Sequence, residues 1–106
     1  MTKAVIIRTT HGTARSVRSR RYYVVRSMPS WVYVNYKGED ITMPAGVEVY
    51  SSSDSFDKVV KTFQRMSILA PRGQAVFVID SVTGRVEKSK GDDAVIASLS
   101  VRPKEG

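Results

Sequence analysis

Residues 54–69 read DSFDKVVKTFQRMSIL, and residues 75–79 read AVFVI. In the first segment the apolar side chains recur with helical period and fall within about 120° of arc. This apolar stripe consists of Phe56, Val59, Val60, Phe63 and Met66, with Ser67 beside them. The second segment is apolar at every position, which is typical of a central strand that is buried on both faces. Together the two segments predict a helix that packs on a sheet.

The flanking residues predict where this helix begins and ends. Residues 51–54, Ser-Ser-Ser-Asp, are of the types that cap helix N-termini, so we expect the helix to begin near Asp54. We expect it to end near Leu69, because Pro71 disfavours helical geometry at the residue before it. The apolar stripe is expected to bury against four strand residues, which are Val76, Val78, Val5 and Ile7.

Short runs of β-branched and aromatic residues predict the remaining strands. These runs lie at residues 4–7, 22–25, 31–36, 41–43, 47–50 and 85–88. Residues 93–101 are ambiguous, because Asp92 and Asp93 suit the start of a short helix, whereas the alternation that follows favours a strand. The prediction is a single α+β domain over residues 1–106. It has a mostly antiparallel sheet of five to seven strands, with one amphipathic helix at about residues 54–69 packed on one face.

Composition excludes several classes of protein. The chain of 106 residues contains no cysteine, which excludes a disulfide framework, a thiolate nucleophile and a zinc site built from sulfur. No apolar run is long enough for a membrane-spanning helix or for a signal peptide. We therefore expect a cytoplasmic protein that contacts no membrane, and the sequence leaves homo-oligomer formation through edge strands open.

Charge is segregated along the chain. The first 38 residues contain eight Lys or Arg and no Asp or Glu, whereas the other 68 contain nine basic and ten acidic residues, for a net charge of +7. A segregated positive field usually faces a polyanion. Within this basic third, residues 9–21 join the first two predicted strands and read TTHGTARSVRSRR. The segment is longer than most connections in a compact domain, so we predict an Arg-rich loop.

Arginine is well suited to nucleic acid, because its guanidinium binds phosphate bidentately and stacks on bases. Aromatic residues follow the Arg-rich segment, and basic residues beside aromatic ones are typical of single-strand recognition. The predicted binding residues are Arg8, Arg15, Arg18, Arg20, Arg21, Arg26, Tyr22, Trp31 and Tyr33. The alternation along residues 31–36 leaves open whether Trp31 and Tyr33 are exposed or belong to the core. A secondary basic stripe on the helix, which also fits an ordinary solvated face, consists of Lys58, Lys61 and Arg65.

Catalytic and metal sites have little support in the sequence. His11 is the only histidine, and the first carboxylate of the chain is Glu39, so no nearby acid orients the imidazole. Asp80 and Glu87 lie across a predicted hairpin, as paired carboxylates of metal-dependent nucleases do, but Ser89 stands where such a motif has lysine. We therefore predict no catalytic residue, no metal and no cofactor, and an enzyme is disfavoured.

Three functions follow from this pattern. The favoured one is non-catalytic binding of RNA or single-stranded DNA by the Arg-rich loop and nearby aromatic residues. The first alternative is a protein-binding module, such as an inhibitor, an adaptor or an assembly subunit, that docks an acidic protein surface. The second alternative is a metal-free ribonuclease that uses Arg, Lys and Tyr side chains.

Overall fold

The computed structural model of the chain describes residues 4–68 and 72–104, which form nine strands and two helices. The strands are β1 Val5–Thr9, β2 Gly12–Ser16, β3 Tyr22–Met28, β4 Trp31–Val34, β5 Asp40–Met43, β6 Gly46–Ser53, β7 Ala75–Asp80, β8 Val86–Gly91 and β9 Ser100–Arg102. The helices are α1 Phe56–Ile68 and α2 Asp93–Ser98. Each strand pairing is antiparallel. The predicted α+β class, with mostly antiparallel strands and a helix packed on a sheet, is confirmed.

The strands form three sheets. A central sheet has the order β6-β3-β7-β8, an outer sheet has the order β2-β1-β9, and β4 with β5 forms a separate two-stranded ribbon. Helix α1 packs on one face of the central sheet, and the outer sheet with α2 covers the other face. Within residues 4–68 and 72–104, neither helix is long and apolar enough to cross a membrane.

The central strand β7 separates two apolar clusters. All six of its residues are buried, as predicted for a strand covered on both faces. Val76 and Val78 pack against α1, whereas Phe77 points the other way, because successive strand residues face opposite sides of a sheet. The prediction that Val5 and Ile7 bury against the helix is wrong, since they lie in the cluster on the Phe77 side.

Helix α1 follows the predicted stripe. Val59 and Phe63 are buried against the central sheet, and Phe56 and Met66 pack beside them. The predicted end at Leu69, with the stop at Pro71, lies outside the described residues. The predicted capping cluster is wrong at residues 51–53, which continue strand β6; the cap is Ser55, whose Oγ accepts a hydrogen bond from the Lys58 backbone N–H at 3.4 Å.

The ambiguous segment near the end of the chain is a helix followed by a short strand. Asp92 Oδ1 accepts hydrogen bonds from the backbone N–H groups of Ala94 at 3.0 Å and Val95 at 3.2 Å, which starts α2. The preference for a strand over residues 93–98 is therefore wrong, because N-capping outweighs the local alternation. The extended part of the segment is Leu99 and β9, which pairs with β1.

The predicted Arg-rich loop at residues 9–21 is not one loop. Its middle part forms β2, which pairs with β1 from Val5↔Ser16 to Thr9↔Gly12. Thr10 and His11 form the tight turn between these strands, and only residues 17–21 remain as an irregular connection into β3. The segment has strand structure because β1 offers pairing partners, although its own sequence has no run of β-branched residues.

The β4–β5 ribbon forms an arm that stands apart from the two larger sheets. All four residues of β4 are exposed, and the described part of the molecule is elongated, with extents of 49 × 28 × 25 Å. Asn35 organises the turn, because its Oδ1 accepts from the backbone N–H groups of Lys37 and Glu39, both at 2.9 Å. Gly38 has φ +79°, which suits glycine in such a turn.

Candidate nucleic-acid interface

The outer sheet presents to solvent a face that carries three arginines. Strand register places six side chains there, in two rows across β2, β1 and β9, which are Arg15, Ile6 and Arg102, and then Thr13, Arg8 and Ser100. The alternate residues of β1, such as Val5 and Ile7, point into the core. We call these six residues the arginine face.

The arginine face has the dimensions of a short stretch of polymer backbone. Neighbouring strands lie about 4.8 Å apart, so the Cα atoms of Arg15 and Arg102 are separated by roughly 10 Å across Ile6. Arg8 lies two residues along β1 from Ile6, a rise of about 7 Å. Among residues 4–68 and 72–104, no carboxylate forms an ion pair with any of these three guanidinium groups. The hydroxyls of Thr13 and Ser100 flank Arg8, so the face offers both charged and neutral donors.

Three other predicted arginines are engaged in ion pairs. Arg21 binds the nearly buried carboxylate of Asp80 bidentately, with Nη2 to Oδ2 at 2.9 Å and Nε to each oxygen at 3.2 Å. Burial alone would raise the pKa of Asp80. The hydrogen bonds from Arg21 and from the Val82 backbone outweigh burial, and they hold the pKa below its ordinary value. The same contact raises the pKa of Arg21.

Arg20 and Arg26 also face carboxylates. Arg20 Nη1 lies 3.2 Å from Asp54 Oδ2, and the backbone N–H of Arg21 donates to Asp54 Oδ1 at 2.9 Å. These two contacts, the backbone one first, lower the pKa of Asp54. Arg26 donates from Nε to Glu48 Oε1, and its guanidinium also lies over the Tyr50 ring at 5.5 Å. The charge of each of these arginines is therefore partly neutralised by a carboxylate of the same chain.

Arg18 differs from its neighbours in the connection at residues 17–21. Its side chain is exposed, and it forms no ion pair within the described part of the chain. Its carbonyl oxygen accepts hydrogen bonds from the Tyr23 hydroxyl at 2.6 Å and from the Lys104 ammonium. The backbone is therefore held in place while the guanidinium remains in solvent.

None of the predicted aromatic residues belongs to the arginine face, and the two that lie near arginines lie near paired ones. The Arg21 guanidinium lies over the Tyr22 ring at 5.2 Å, and Trp31 lines a pocket with Arg26. Tyr22 is half-buried and packs edge-on against Phe56, with ring centroids 5.3 Å apart, so it is a packing residue. Trp31 and Tyr33 are exposed by 45% and 40% on the arm. The arm follows β3, whereas residues 17–21 precede it, so the length of β3, about 20 Å, separates them.

The Trp31 and Tyr33 rings contact each other, with centroids 5.3 Å apart and an interplanar angle of 36°. They share one face of the arm with Ile41 and Met43, and Val32 and Val34 lie on the other face. Trp31 and Tyr33 are therefore exposed, and the alternative that places them in the core is wrong. The valine face is exposed as well, so neither face of the arm is core. The charged residues between Trp31 and Met43 are Lys37, Glu39 and Asp40, which give the arm a net charge of −1.

His11 has a structural role at the β1–β2 turn. Its Nδ1 lies 2.8 Å from the hydroxyl of Ser27, which in turn lies 2.7 Å from the Thr9 hydroxyl. Ser27 is fully buried, so this chain of polar groups fixes the turn to β3.

In the described residues no group of three or more His, Asp or Glu side chains is placed to hold a metal ion. Asp80, considered above as a nuclease-like carboxylate, is bound by Arg21.

The secondary stripe lies on the solvent side of α1, where Lys58, Lys61 and Arg65 are all exposed. Lys58 also lines a groove between α1 and β6.

Sequence reasoning missed Arg102, which lies in the charge-balanced part of the chain. The polar-apolar-polar pattern of Ser100, Val101 and Arg102 is the one local signal for its outward orientation.

Comparison of the chain with protein-family models, with curated proteins and with solved structures finds no significant match.

Proposed function

We propose that this protein is a non-catalytic nucleic-acid-binding protein that holds RNA or single-stranded DNA on the arginine face. The observation that carries the proposal is the placement of Arg8, Arg15 and Arg102 on one exposed sheet surface, without an ion-pairing carboxylate in residues 4–68 and 72–104. Guanidinium groups bind phosphate bidentately and stack on bases. Hydroxyl groups such as those of Thr13 and Ser100 commonly add phosphate contacts.

Single-stranded nucleic acid suits this surface better than a duplex does. A sheet face lets unpaired bases spread over it, and several single-strand-binding modules use a sheet in this way. Ile6, between Arg15 and Arg102, provides an apolar contact for a base. Neither α1 nor α2 combines a basic face with a set of base-reading Asn and Gln side chains, which a major-groove reader needs.

The test compares two triple variants of equal net charge. Arg8→Gln/Arg15→Gln/Arg102→Gln removes the arginine face, whereas Arg85→Gln/Lys88→Gln/Lys90→Gln removes three exposed charges around β8. Affinity for a single-stranded oligonucleotide is measured by fluorescence anisotropy at several salt concentrations. Three lost phosphate contacts reduce the log–log salt slope by about 2 units in the first variant. Equal losses in both variants would show a response to net charge alone and would refute the proposal.

A second candidate function, protein binding, is favoured by the arm. An isolated two-stranded ribbon is marginally stable in water, and this one exposes apolar side chains on both faces. Its net charge of −1 does not suit a nucleic acid. A second copy of the chain presents the same apolar face, so two arms can bury Trp31 and Tyr33 in an isologous contact.

Sedimentation velocity tests this second candidate. The expected result is a dimer at micromolar concentration that the Trp31→Ser/Tyr33→Ser variant converts to a monomer, with the fold checked by circular dichroism. A wild-type protein that stays monomeric at millimolar concentration would exclude self-association through the arm. The oligonucleotide salt slope of the variant is expected to match wild type, because the arm is separate from the arginine face.

A further inference from the structure

A polar groove lies between the edge strand β6 and helix α1, on the opposite side of the central sheet from the arginine face. It encloses about 420 Å³, and its lining residues are Arg20, Ser51, Ser52, Ser53, Lys58, Val59 and Thr62. Six of these seven residues are basic or carry a hydroxyl group. The serines are the ones that extend β6 beyond its predicted end, so the unexpected length of this strand creates the groove.

Several donors in the groove have no partner within the described residues. The hydroxyl of Ser51, which pairs with Val24 on the α1 side of the sheet, forms no hydrogen bond there, and the Lys58 ammonium forms no ion pair. Ser52 pairs with Tyr23, so its hydroxyl points to the other side of the sheet. Ser53 Oγ accepts from the Ser55 backbone N–H at 3.0 Å, which leaves its own proton free to donate. Arg20 contacts Asp54 through Nη1, and its other N–H groups remain for a ligand. Such a set of hydroxyls and cations suits a phosphate group.

The groove is also within reach of the arginine face. Strand β2, which carries Arg15, packs beside β6. Arg20 follows Arg15 by five positions, so their Cα atoms are at most about 18 Å apart. The exposed side chain of Arg18 lies between them in the chain. A flexible polyanion can therefore pass from the outer sheet, around the edge formed by β2 and β6, to the mouth of the groove.

We infer that the groove is a second phosphate subsite of the same nucleic-acid surface. It takes a phosphodiester of a single strand that has already crossed the arginine face and passed Arg18. This inference rests on the proposed function. It makes Lys58 and Ser51 binding residues, whereas Lys61, one turn further along α1, does not line the groove and takes no part.

Two oligonucleotide lengths separate the subsite from the arginine face. A short oligonucleotide of about 4 nucleotides covers the arginine face alone, and a long one of about 12 nucleotides reaches the groove. In wild type we expect the long oligonucleotide to have the steeper salt slope. Lys58→Gln should reduce the slope of the long oligonucleotide by about 0.7 and leave that of the short one unchanged. The control Lys61→Gln, with the same charge change on the same helix, should alter neither.

The uncharged contribution is tested by Ser51→Ala, which we expect to weaken binding of the long oligonucleotide about fivefold without a change in net charge. Equal behaviour of Lys58→Gln and Lys61→Gln, with wild-type affinity in Ser51→Ala, would overturn the inference while the arginine face still binds. Failure of the wild-type protein to bind either oligonucleotide would overturn the proposed function, and the inference with it. Circular dichroism confirms that each variant is folded.

Discussion

Arg15 and Arg21 come from the same acid-free third of the chain, but their surroundings differ. Arg15 stands on the outer sheet beside Ile6, with no ion-pairing carboxylate in the described part of the chain. Arg21 clasps Asp80, which lies 59 residues away in sequence. Arg20 and Arg26 resemble Arg21, and Arg8 and Arg102 resemble Arg15. The arginines thus divide into a paired group that stabilises the fold and a group that faces solvent and has no ion-pairing carboxylate among the described residues, which we call the free group.

This division changes the meaning of the charge segregation. A basic segment in the sequence produces a basic surface only where the fold supplies no acid. The acidic residues that neutralise the paired group come from later elements, at Asp54, Glu48 and Asp80. Conversely, Arg102 joins the free group although its own part of the sequence is balanced. The positive surface of the protein therefore depends on which arginines the fold brings next to a carboxylate, and not on where they lie in the sequence.

The largest effect on stability is expected from Asp80→Asn, which removes the most buried carboxylate of the three ion pairs. Arg21 loses its ionic partner. If the amide oxygen takes the place of Oδ1 and accepts from the Val82 N–H, the amide NH₂ takes the place of Oδ2 and faces the donor Nη2 of Arg21. We expect the free energy of unfolding at pH 7 to fall by about 2 kcal/mol. Urea unfolding followed by far-UV circular dichroism measures it. Trp31 fluorescence is a poor probe, because the arm is exposed.

The lowered pKa of Asp80 also determines how the stability changes in acid. The pKa of Asp80 is lower in the folded state than its unfolded value of about 3.9, so its contribution is complete above that pH and is lost as the pH falls. The variant should therefore lose stability less steeply than wild type below about pH 4. The control is Glu87→Gln, an exposed carboxylate near the same ion pair, with an expected change within about 0.5 kcal/mol. Equal destabilisation by both changes would contradict a structural role for Asp80.

A smaller effect on stability is expected from Asp54→Asn, because this carboxylate is exposed. The change releases Arg20 and weakens the contact to the Arg21 backbone, so Tm should fall by less than in Asp80→Asn. The released Arg20 lines the groove, and the salt slope for the long oligonucleotide should therefore rise by about 0.7. Thermal unfolding and anisotropy measure the two quantities. An unchanged slope would mean that a freed arginine at this position meets no phosphate.

The sequence predicts the elements whose local pattern is unambiguous. Helix α1 has a full apolar stripe, and β7 is apolar throughout, so both were predicted close to their observed bounds. Strand β2 was missed because Gly12–Ser16 carries no strand signal of its own and is extended through its pairing with β1. Helix α2 was left open, because the capping residue Asp92 and the alternation that follows it give opposite signals, and in the structure the cap prevails.

The candidate site was predicted only in part, for a related reason. Arg8 and Arg15 were named from the basic segment, but ion pairing depends on residues far away in sequence. Arg20 and Asp54 are 34 positions apart, and Arg26 and Glu48 are 22 positions apart. No local pattern reports such contacts. The predicted aromatic residues are also separated in space. Tyr22 packs against Phe56 at one end of β3, and Trp31 follows the other end.

The smallest effect on stability and on oligonucleotide binding is expected from Glu48→Gln. This variant distinguishes the position of a released arginine from the change in net charge. Like Asp54→Asn, it raises the net charge by one and releases one arginine, in this case Arg26. The pair is largely exposed, so the free energy of unfolding should change by at most about 1 kcal/mol. Arg26 shares one side of β3 with Val24, which packs against α1, and it lies near Trp31 at the base of the arm. It is thus off the path from the arginine face to the groove.

We therefore expect Glu48→Gln to leave the salt slopes for both oligonucleotides within error of wild type. Anisotropy titrations of the two variants, run side by side, measure the contrast with Asp54→Asn. The comparison is matched in net charge and in the number of released arginines, so a difference between them reports location alone. If Glu48→Gln steepens the slope as much as Asp54→Asn does, nucleic acid responds to the total charge of the protein, and the distinction between free and paired arginines carries no functional meaning.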